Sequence, residues 1–259
     1  MPDLLPTTPA VSFHHLTDSH AVGTEPVLAA IGARVGELFA YREWDAAQLV
    51  QNRYPVAAHR EVQTASGFGD LVLHTEACFT SYPPDFLALL GLRPDATGAA
   101  RTLVADIPLA LRLLGEAELR ALSEPLFVFE PDRGSHVHNG LRTTAPVSML
   151  RDHGQGSVLE YSTLLIATTK EGGRALAGLN AALNRCAVSV ALGHGDLLLI
   201  DNRRTVHGRT AFRPAYDGSD RWIQRVLLLG RLPADGRIVP DTRLVHYPTD
   251  YLNALALPA

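Results

Sequence analysis

The segment Gly195-Asp196-Leu197-Leu198-Leu199-Ile200-Asp201-Asn202 is a run of four apolar residues between two polar turn signals. Short apolar runs bounded by Gly, Pro or Asp are typical of buried β-strands. The same texture recurs after Pro55 and predicts strands at Leu71–His74, Phe86–Leu92, Thr102–Ile107, Leu126–Phe129, Val158–Leu165, Val188–Leu192, Leu197–Asp201 and Trp222–Leu229. Eight short strands with few helices favour an antiparallel double-sheet barrel over an alternating βαβ fold.

Helical spacing of apolar residues appears in only a few places. It predicts an amphipathic helix over Glu25–Tyr41, a short helix over Asp45–Gln51, and longer insertions over Pro108–Ser123 and Lys170–Asn184. Residues 1–24 have little periodicity and are expected to form an arm over the surface. Because there are no repeats or linker-like stretches, we expect one domain over residues 1–259.

Composition limits the class of partner. The chain has 259 residues, is 46% hydrophobic and carries a formal net charge of −4, which gives no electrostatic reason to expect nucleic acid or an anionic membrane. The N-terminus lacks a signal-peptide pattern, and no apolar run reaches the roughly 20 residues needed to span a bilayer. Two cysteines are too few for a disulfide scaffold. We therefore expect a cytoplasmic protein with a small-molecule ligand.

The segment Asp70-Leu71-Val72-Leu73-His74-Thr75-Glu76 combines a strand with two potential metal ligands. Residues two apart on an extended chain point the same way, so His74 and Glu76 can face one ion. His207, at the end of a polar turn after Leu197–Asp201, is a third candidate. Two imidazoles and one carboxylate form the facial triad that leaves positions of Fe(II) open. An H-x-E pair alone is a weak signal, since the chain has 11 histidines.

A further arginine strengthens this interpretation. Arg221 lies fourteen residues after His207 and directly before the last predicted strand. Its permanently charged fork suits the far carboxylate of a dicarboxylate whose other end chelates the metal.

Four stretches together resemble the clavaminate synthase-like, TauD-type Fe(II)/2-oxoglutarate-dependent oxygenases, which include arginine and asparagine hydroxylases. They are His74-Thr75-Glu76-Ala77, Gly195-Asp196-Leu197, the run from Asp201 to Arg209, and Tyr216-Asp217-Gly218-Ser219-Asp220-Arg221-Trp222. The resemblance covers roughly residues 62–230. It implies a mainly β fold with flanking helices, a double-stranded β-helix (jelly-roll, cupin-like) barrel, with iron bound by His74, Glu76 and His207.

The resemblance also implies roles for residues around the metal. Arg221 matches the arginine that binds the 2-oxoglutarate C5 carboxylate, and Thr102 matches its hydrogen-bonding threonine. Arg225 matches an arginine that holds the substrate's α-carboxylate. Thr64, with Ser66 beside it, matches a small hydroxyl residue that contacts the substrate's amino-acid backbone.

Other features depart from the family or have simpler explanations. Relatives that act on basic amino acids present aspartates on the strand predicted at Val158–Leu165, where this chain has Glu160 as the candidate substrate contact. The pair His136 and His138 is a competing metal site, better explained as a surface loop or a lid near the substrate. The arginines near His207 are more simply explained by solvation or by ion pairs with nearby acids such as Asp196 and Asp201; they are Arg203, Arg204 and Arg209.

The expected cofactors are Fe(II), 2-oxoglutarate as co-substrate, and O2. The expected reaction is hydroxylation of an unactivated C–H bond in a free amino acid or small derivative, in natural-product biosynthesis, and a homo-oligomer is possible. Glu76 argues against a halogenase, because halide needs the position that the carboxylate fills. Desaturation or ring closure on a carrier-bound or cyclic substrate, a Zn(II) or Mn(II) hydrolase or isomerase, and a non-catalytic binding barrel are alternatives.

Overall fold

Short strands, most of them antiparallel, outnumber the helices in the computed structural model, which describes residues 10–13, 23–42, 44–59, 67–78, 80, 82–130, 143–152, 157–162, 164–232 and 242–245. In chain order the strands are β1 (Ala10–Phe13), β2 (Glu37–Tyr41), β3 (Gln51–Arg53), β4 (Leu71–His74), β5 (Phe86–Arg93), β6 (Thr102–Asp106), β7 (Phe127–Phe129), β8 (Leu150–Asp152), β9 (Ser157–Leu159), β10 (Leu165–Ala167), β11 (Val188–Val190), β12 (Leu197–Asp201), β13 (Thr205–Arg209), β14 (Trp222–Leu229) and β15 (Leu244–Val245). The helices are α1 (Thr24–Gly32), α2 (Ile107–Leu111), α3 (Glu116–Ser123) and α4 (Lys170–Cys186).

Two sheets carry the architecture. The larger has the order β1-β12-β5-β14-β2-β15, with β3 also paired to β14, and the smaller has the order β11-β6-β13-β4. Two further antiparallel pairs, β7 with β10 and β8 with β9, complete the described strands. The pairing of β15 with β2 is parallel, whereas the other registered pairs are antiparallel.

The alternation of side chains along the larger sheet separates two buried layers. On the outer face, Leu28 of α1 packs with Ala88, Leu90, Val226 and Leu228. The inner face belongs to a second, larger cluster that also contains residues of the smaller sheet and of α2, α3 and α4; it includes Phe39, Tyr41, Leu87, Leu89, Leu198, Ile200, Ile223 and Leu227. Because successive strand residues point to opposite faces, continuous apolar runs such as that of β5 are buried on both sides.

Most of the predicted strands are confirmed, with small shifts at their ends. β4, β12 and β14 have the predicted bounds. The strand from Thr102 ends one residue early because Asp106 caps α2, its carboxylate accepting the Leu109 N–H at 2.8 Å. The helix over Lys170–Asn184 is also confirmed and extends to Cys186.

The helix predicted over Glu25–Tyr41 is wrong in its second half. α1 ends at Gly32, and Glu37–Tyr41 forms β2, paired with β14. Gly36 in the connection lies against β14, where a Cβ would come within 2.5 Å of the Leu229 carbonyl oxygen. Since a five-residue apolar segment fits a helix or a strand equally well, the pairing partner decided between them.

The short helix predicted over Asp45–Gln51 is also wrong. A 3-10 turn covers only Asp45–Ala47, and the chain then extends into β3. All three turn residues have positive φ, of 48°, 53° and 59°. Few non-glycine residues adopt this conformation, so the turn is strained.

Three other predictions need smaller corrections. The strand predicted over Val158–Leu165 is divided between β9 and β10, which leaves residues 160–162 and 164 outside the described strands. The insertion over Pro108–Ser123 is two helices, α2 and α3. Within the predicted arm, Ala10–Phe13 forms β1 on the edge of the larger sheet. Among the described residues, no helix is long and apolar enough to cross a membrane.

Candidate metal centre

His74, Glu76 and His207 meet between the two sheets. His74 ends β4 and lies directly opposite His207 of β13, so both imidazoles leave the same face of the smaller sheet. Glu76 Oε2 lies 3.7 Å from His74 Nε2 and 3.4 Å from His207 Nε2. One ligand atom from each residue falls within 4.8 Å of the other two, a grouping that a single metal ion can bind.

Local hydrogen bonds orient these side chains. His74 Nδ1 lies 2.9 Å from the Val72 carbonyl oxygen, so the proton belongs on Nδ1 and the Nε2 lone pair faces the triad. Glu76 is held through its backbone: its N–H donates to Asn202 Oδ1 at 2.7 Å, and Asn202 Nδ2 donates to the Glu76 carbonyl oxygen at 3.1 Å. Asn202, in the turn after β12, thereby fixes the position of Glu76, two residues after the end of β4.

The protonation states suit a divalent cation. Burial opposes ionisation of Glu76, but the charge of Arg225 and the adjacent His207 and His74 side chains hold its pKa well below the ordinary value. Burial, together with repulsion from His74, lowers the pKa of His207 to about 4. At neutral pH the site therefore offers a charged carboxylate and a neutral His207 imidazole, the forms that bind metal. Two imidazoles with one carboxylate fit Fe(II) with open positions.

Arg221 carries a buried charge that forms no hydrogen bond or ion pair with the described residues. It directly precedes β14, its side chain is 9% exposed, and no described residue accepts a hydrogen bond from its guanidinium. Burial and the neighbouring charge of Arg209 lower the pKa of Arg221 to about 10, so it stays protonated at neutral pH. Thr102 is buried and lies opposite Arg209, two residues after His207 on β13. An anion is the natural partner of such a guanidinium.

Arg225 contacts the triad itself. Its Nη1 lies 2.9 Å from Glu76 Oε2, and its Nε donates to Gln51 Oε1 at 2.8 Å. A carboxylate of Asp45 lies 3.7 Å from its Nη2. The arginine predicted to bind substrate thus lies beside the candidate metal ligands.

The remaining predicted substrate residues are less closely placed. Glu160 lies between β9 and β10, and the neighbouring Tyr161 N–H donates to Thr75 Oγ1 at 3.0 Å. Burial first, and the charge of Glu160 in addition, raise the pKa of the Cys78 thiol to about 12, which indicates that Glu160 is near the segment carrying Glu76. Thr64 and Ser66 lie outside the described residues, as does the competing histidine pair at 136 and 138.

The three arginines near His207 divide into two kinds. Arg203 lies 3.2 Å from Asp201, and Arg204 lies 3.1 Å from Asp106, so both form partly exposed ion pairs. Arg209 is instead buried, donates to the Gly69 carbonyl oxygen at 2.7 Å and packs over Phe212. The predicted pairing with Asp201 applies to Arg203, whereas Asp196 accepts the Gly193 N–H.

Sequence analysis missed four residues of this region. Asp45, Gln51 and Arg53 contact Arg225 or each other, but Asp45 and Gln51 fall within the predicted short helix and Arg53 has no predicted role. The period-two spacing of Gln51 and Arg53 before Tyr54-Pro55 was the available signal for a strand. Asn202 stood in a quoted motif without an assigned role.

Comparison with known proteins places this geometry in a family. The model of the taurine catabolism dioxygenase TauD, TfdA family matches residues 20–227. This chain belongs to the TauD/TfdA dioxygenase family. That membership confirms the expected family, the expected enzyme class and the jelly-roll fold.

Relatives within the TauD/TfdA family cover most of the chain. It is 34% identical over 242 residues to L-asparagine oxygenase of Streptomyces coelicolor, covering 91% of this chain and 72% of that protein. It is 32% identical over 228 residues to clavaminate synthase 2 of Streptomyces clavuligerus, covering 86% of this chain and 69% of that protein. A crystal structure of asparagine oxygenase with Fe(II), 3-hydroxyasparagine and succinate superposes with a TM-score of 0.76 at 30% identity, covering 86% of this chain and 74% of that one.

Proposed function

We propose that this chain is an Fe(II)- and 2-oxoglutarate-dependent oxygenase that hydroxylates an unactivated C–H bond of a free amino acid or small amino-acid derivative. The convergence of His74, Glu76 and His207 within 4.8 Å carries the proposal. Membership of a dioxygenase family supports the reaction class. The asparagine oxygenase structure, which contains Fe(II), a hydroxylated amino acid and succinate, supports the cofactors and the class of substrate.

The three ligands would hold iron through His74 Nε2, His207 Nε2 and Glu76 Oε2. Iron with these ligands keeps open positions and, with 2-oxoglutarate, supplies the activation of O2 that oxidises the substrate's C–H bond. Asn202 holds the Glu76 backbone in place, and the Val72 carbonyl orients His74. The chain's own contribution is to fix these donors before the metal arrives.

Arg221 and Thr102 would bind the C5 carboxylate of 2-oxoglutarate. The guanidinium fork matches a carboxylate with two parallel hydrogen bonds, which a lysine does not reproduce. Burial strengthens this attraction because little water screens it. Arg225 would take the substrate's α-carboxylate, and the resemblance adds Thr64, Ser66 and Glu160 as substrate contacts.

The test is succinate release by anaerobically iron-loaded protein given O2, 2-oxoglutarate and each of the proteinogenic L-amino acids. Succinate that one amino acid stimulates in the wild type, and that His207→Ala abolishes, is the expected result. His194→Ala is the matched control, since His194 lies in the loop before β12 and should leave succinate release unchanged. Mass spectrometry of the amino acid separates addition of one oxygen from the loss of two hydrogens expected of desaturation.

Binding measurements separate the ways in which this test can fail. Arg221→Lys should weaken 2-oxoglutarate binding at least tenfold while leaving Fe(II) binding intact. If the wild type binds both ligands but no amino acid stimulates succinate, the proposed substrate class is wrong. If it binds neither ligand, the triad interpretation itself is wrong. The cytoplasmic location, the absence of nucleic-acid or membrane partners and a possible homo-oligomer remain predictions.

A further inference from the structure

A partly buried polar network lines the inner face of the larger sheet beside Arg225. It consists of Asp45, Gln51, Arg53 and Arg225, and we call it the Asp45 network. β3 pairs with β14 so that Gln51 lies directly opposite Arg225, and Arg53 lies opposite Ile223. Arg53 donates to both carboxylate oxygens of Asp45, at 2.6 and 2.5 Å. The network therefore lies on the same face of the larger sheet as Arg225 and extends from Arg225 away from Glu76.

The side-chain amide of Gln51 has only one possible orientation. Its Oε1 accepts from Arg225 Nε at 2.8 Å and from Arg53 Nη2 at 2.9 Å. Exchanging Oε1 and Nε2 would set an N–H group against two guanidinium N–H groups, so the two arginines fix the oxygen between them. The Nε2 group must therefore point away from both arginines.

Within the described part of the chain, this fixed N–H group has no acceptor. Gln51 is 1% exposed, and no described residue accepts a hydrogen bond from its Nε2. Arg53 Nε is a second buried donor that no described residue pairs. Native proteins pair nearly all buried donors, so a buried donor without a protein acceptor calls for another partner, such as a water, an ion or a ligand. Two such donors beside Arg225 point to an oxygen supplied by a bound molecule.

The charges identify the chemistry of that molecule. Arg53 and Arg225 bring two positive charges and Asp45 brings one negative charge, while the charge of Glu76, 2.9 Å from Arg225 Nη1, would be shared with the metal. The remaining positive charge favours an anionic oxygen, and an N–H donor cannot bind an ammonium group. Gln51 Nε2 therefore requires an acceptor oxygen rather than an amine, and the positive charge favours a carboxylate oxygen over a neutral one.

The turn that supplies Asp45 is strained, since three successive non-glycine residues have positive φ. Such strain persists only where the surrounding contacts hold it, and it is concentrated at functional sites. Here the contact that holds the turn is the bidentate ion pair between Asp45 and Arg53. The turn thus keeps Arg53 beside Gln51, and Arg53 helps to fix the orientation of the Gln51 side-chain amide.

We infer that Gln51 is a substrate-binding residue whose Nε2 donates to a carboxylate oxygen of the amino acid held by Arg225, with Arg53 and Asp45 as positioning residues. The inference rests on the proposed function, because it assumes that an amino acid is the substrate. It adds a carboxylate contact from the strand next to Arg225. It also predicts that substrates without a free carboxylate gain little from this side chain.

The test is Gln51→Glu, which has nearly the same shape. A glutamate there keeps an acceptor for both arginines, so the network and the fold are retained, but it replaces the N–H donor by a negatively charged oxygen. Gln48→Glu is the matched control, because Gln48 is exposed in the same segment and gains the same charge. Binding is measured anaerobically by titration of the protein loaded with Fe(II) and 2-oxoglutarate, using L-amino acids and their methyl esters.

For the amino acid that binds the wild type most tightly, Gln51→Glu should raise the Kd at least tenfold, whereas the Kd of its methyl ester should change less than threefold. Binding of 2-oxoglutarate and the behaviour of Gln48→Glu should match the wild type. Unchanged amino-acid binding in Gln51→Glu overturns the inference. Equal losses for acid and ester also overturn it, since they indicate a structural role. If no amino acid binds the wild type, the proposed substrate class fails, and the wild type alone reveals it.

Discussion

Replacing Asn202 by alanine tests how the metal site is built. Asn202 is 4% exposed and makes three hydrogen bonds: it accepts from the Glu76 N–H at 2.7 Å and donates to the carbonyl oxygens of Glu76 and Pro84 at 3.1 and 2.8 Å. Among the described residues, no other side chain forms a hydrogen bond with the Glu76 backbone. We expect Asn202→Ala to lower both stability and metal affinity.

The magnitude follows from these three bonds. Each contributes about 0.5–1.5 kcal/mol, and the alanine leaves three buried backbone groups without a partner, so the free energy of unfolding should fall by about 2–4 kcal/mol. For a chain of this size that corresponds to a Tm lower by on the order of 10 °C. Mutation of a residue that hydrogen-bonds to a metal ligand typically lowers metal affinity by about 10- to 100-fold, and we expect Asn202→Ala to weaken Fe(II) binding by a factor in that range.

The assay combines urea unfolding of the metal-free protein with anaerobic Fe(II) titration. Asn184→Ala is the matched control, because Asn184 is an exposed residue of α4 with one side-chain hydrogen bond, to the Asn180 carbonyl oxygen. Its change in stability should stay within about 0.5 kcal/mol. The reasoning is refuted if Asn202→Ala is no less stable than Asn184→Ala, or if it binds Fe(II) as tightly as the wild type.

Two further predictions concern packing and pH. In Gly208→Ala the new Cβ would lie 2.5 Å from the Leu71 carbonyl oxygen, so β4 must move away from β13. We expect the free energy of unfolding, measured in urea, to fall by about 1–3 kcal/mol and Fe(II) binding to weaken. Gly69→Ala, where a Cβ meets open space, is the control, and equal stability of the two variants would contradict the prediction. Burial opposes ionisation of Asp95, but the Thr97 hydroxyl and nearby backbone N–H groups outweigh it and hold the pKa of Asp95 below its ordinary value. Because the depressed pKa stabilises the folded state only while the carboxylate is charged, this stabilisation should disappear as the pH falls below about 4, and Asp95→Asn should lose less stability between neutral and acidic pH than the wild type in urea unfolding; parallel pH profiles would argue against it.

Much of the fold was predictable because strand periodicity is a local property. The apolar runs of β5, β12 and β14 are buried on both faces, so each produces the same short apolar signal wherever its neighbours lie. The two-residue spacing of His74 and Glu76 placed both on one side of the chain for the same local reason. Their meeting with His207 followed from chemical type and from the resemblance, since neither periodicity nor spacing connects residues so far apart.

The segment between α1 and β4 shows what local patterns do not contain. β2 and β3 are short, and their residues are compatible with helix; only pairing with β14, some 170 residues later, makes them strands. The burial of Arg209 was likewise not visible from a polar turn rich in arginine.

The sequence by itself determined the strands with strong apolar runs, and it supplied the candidate metal ligands and the candidate arginine for 2-oxoglutarate, because each of these depends on neighbouring residues or on the chemistry of a side chain. The tertiary structure alone decided the partners of those side chains. Asn202 holds Glu76, and Gln51 is fixed between Arg53 and Arg225, because sheet register brings together residues whose separation along the chain carries no signal.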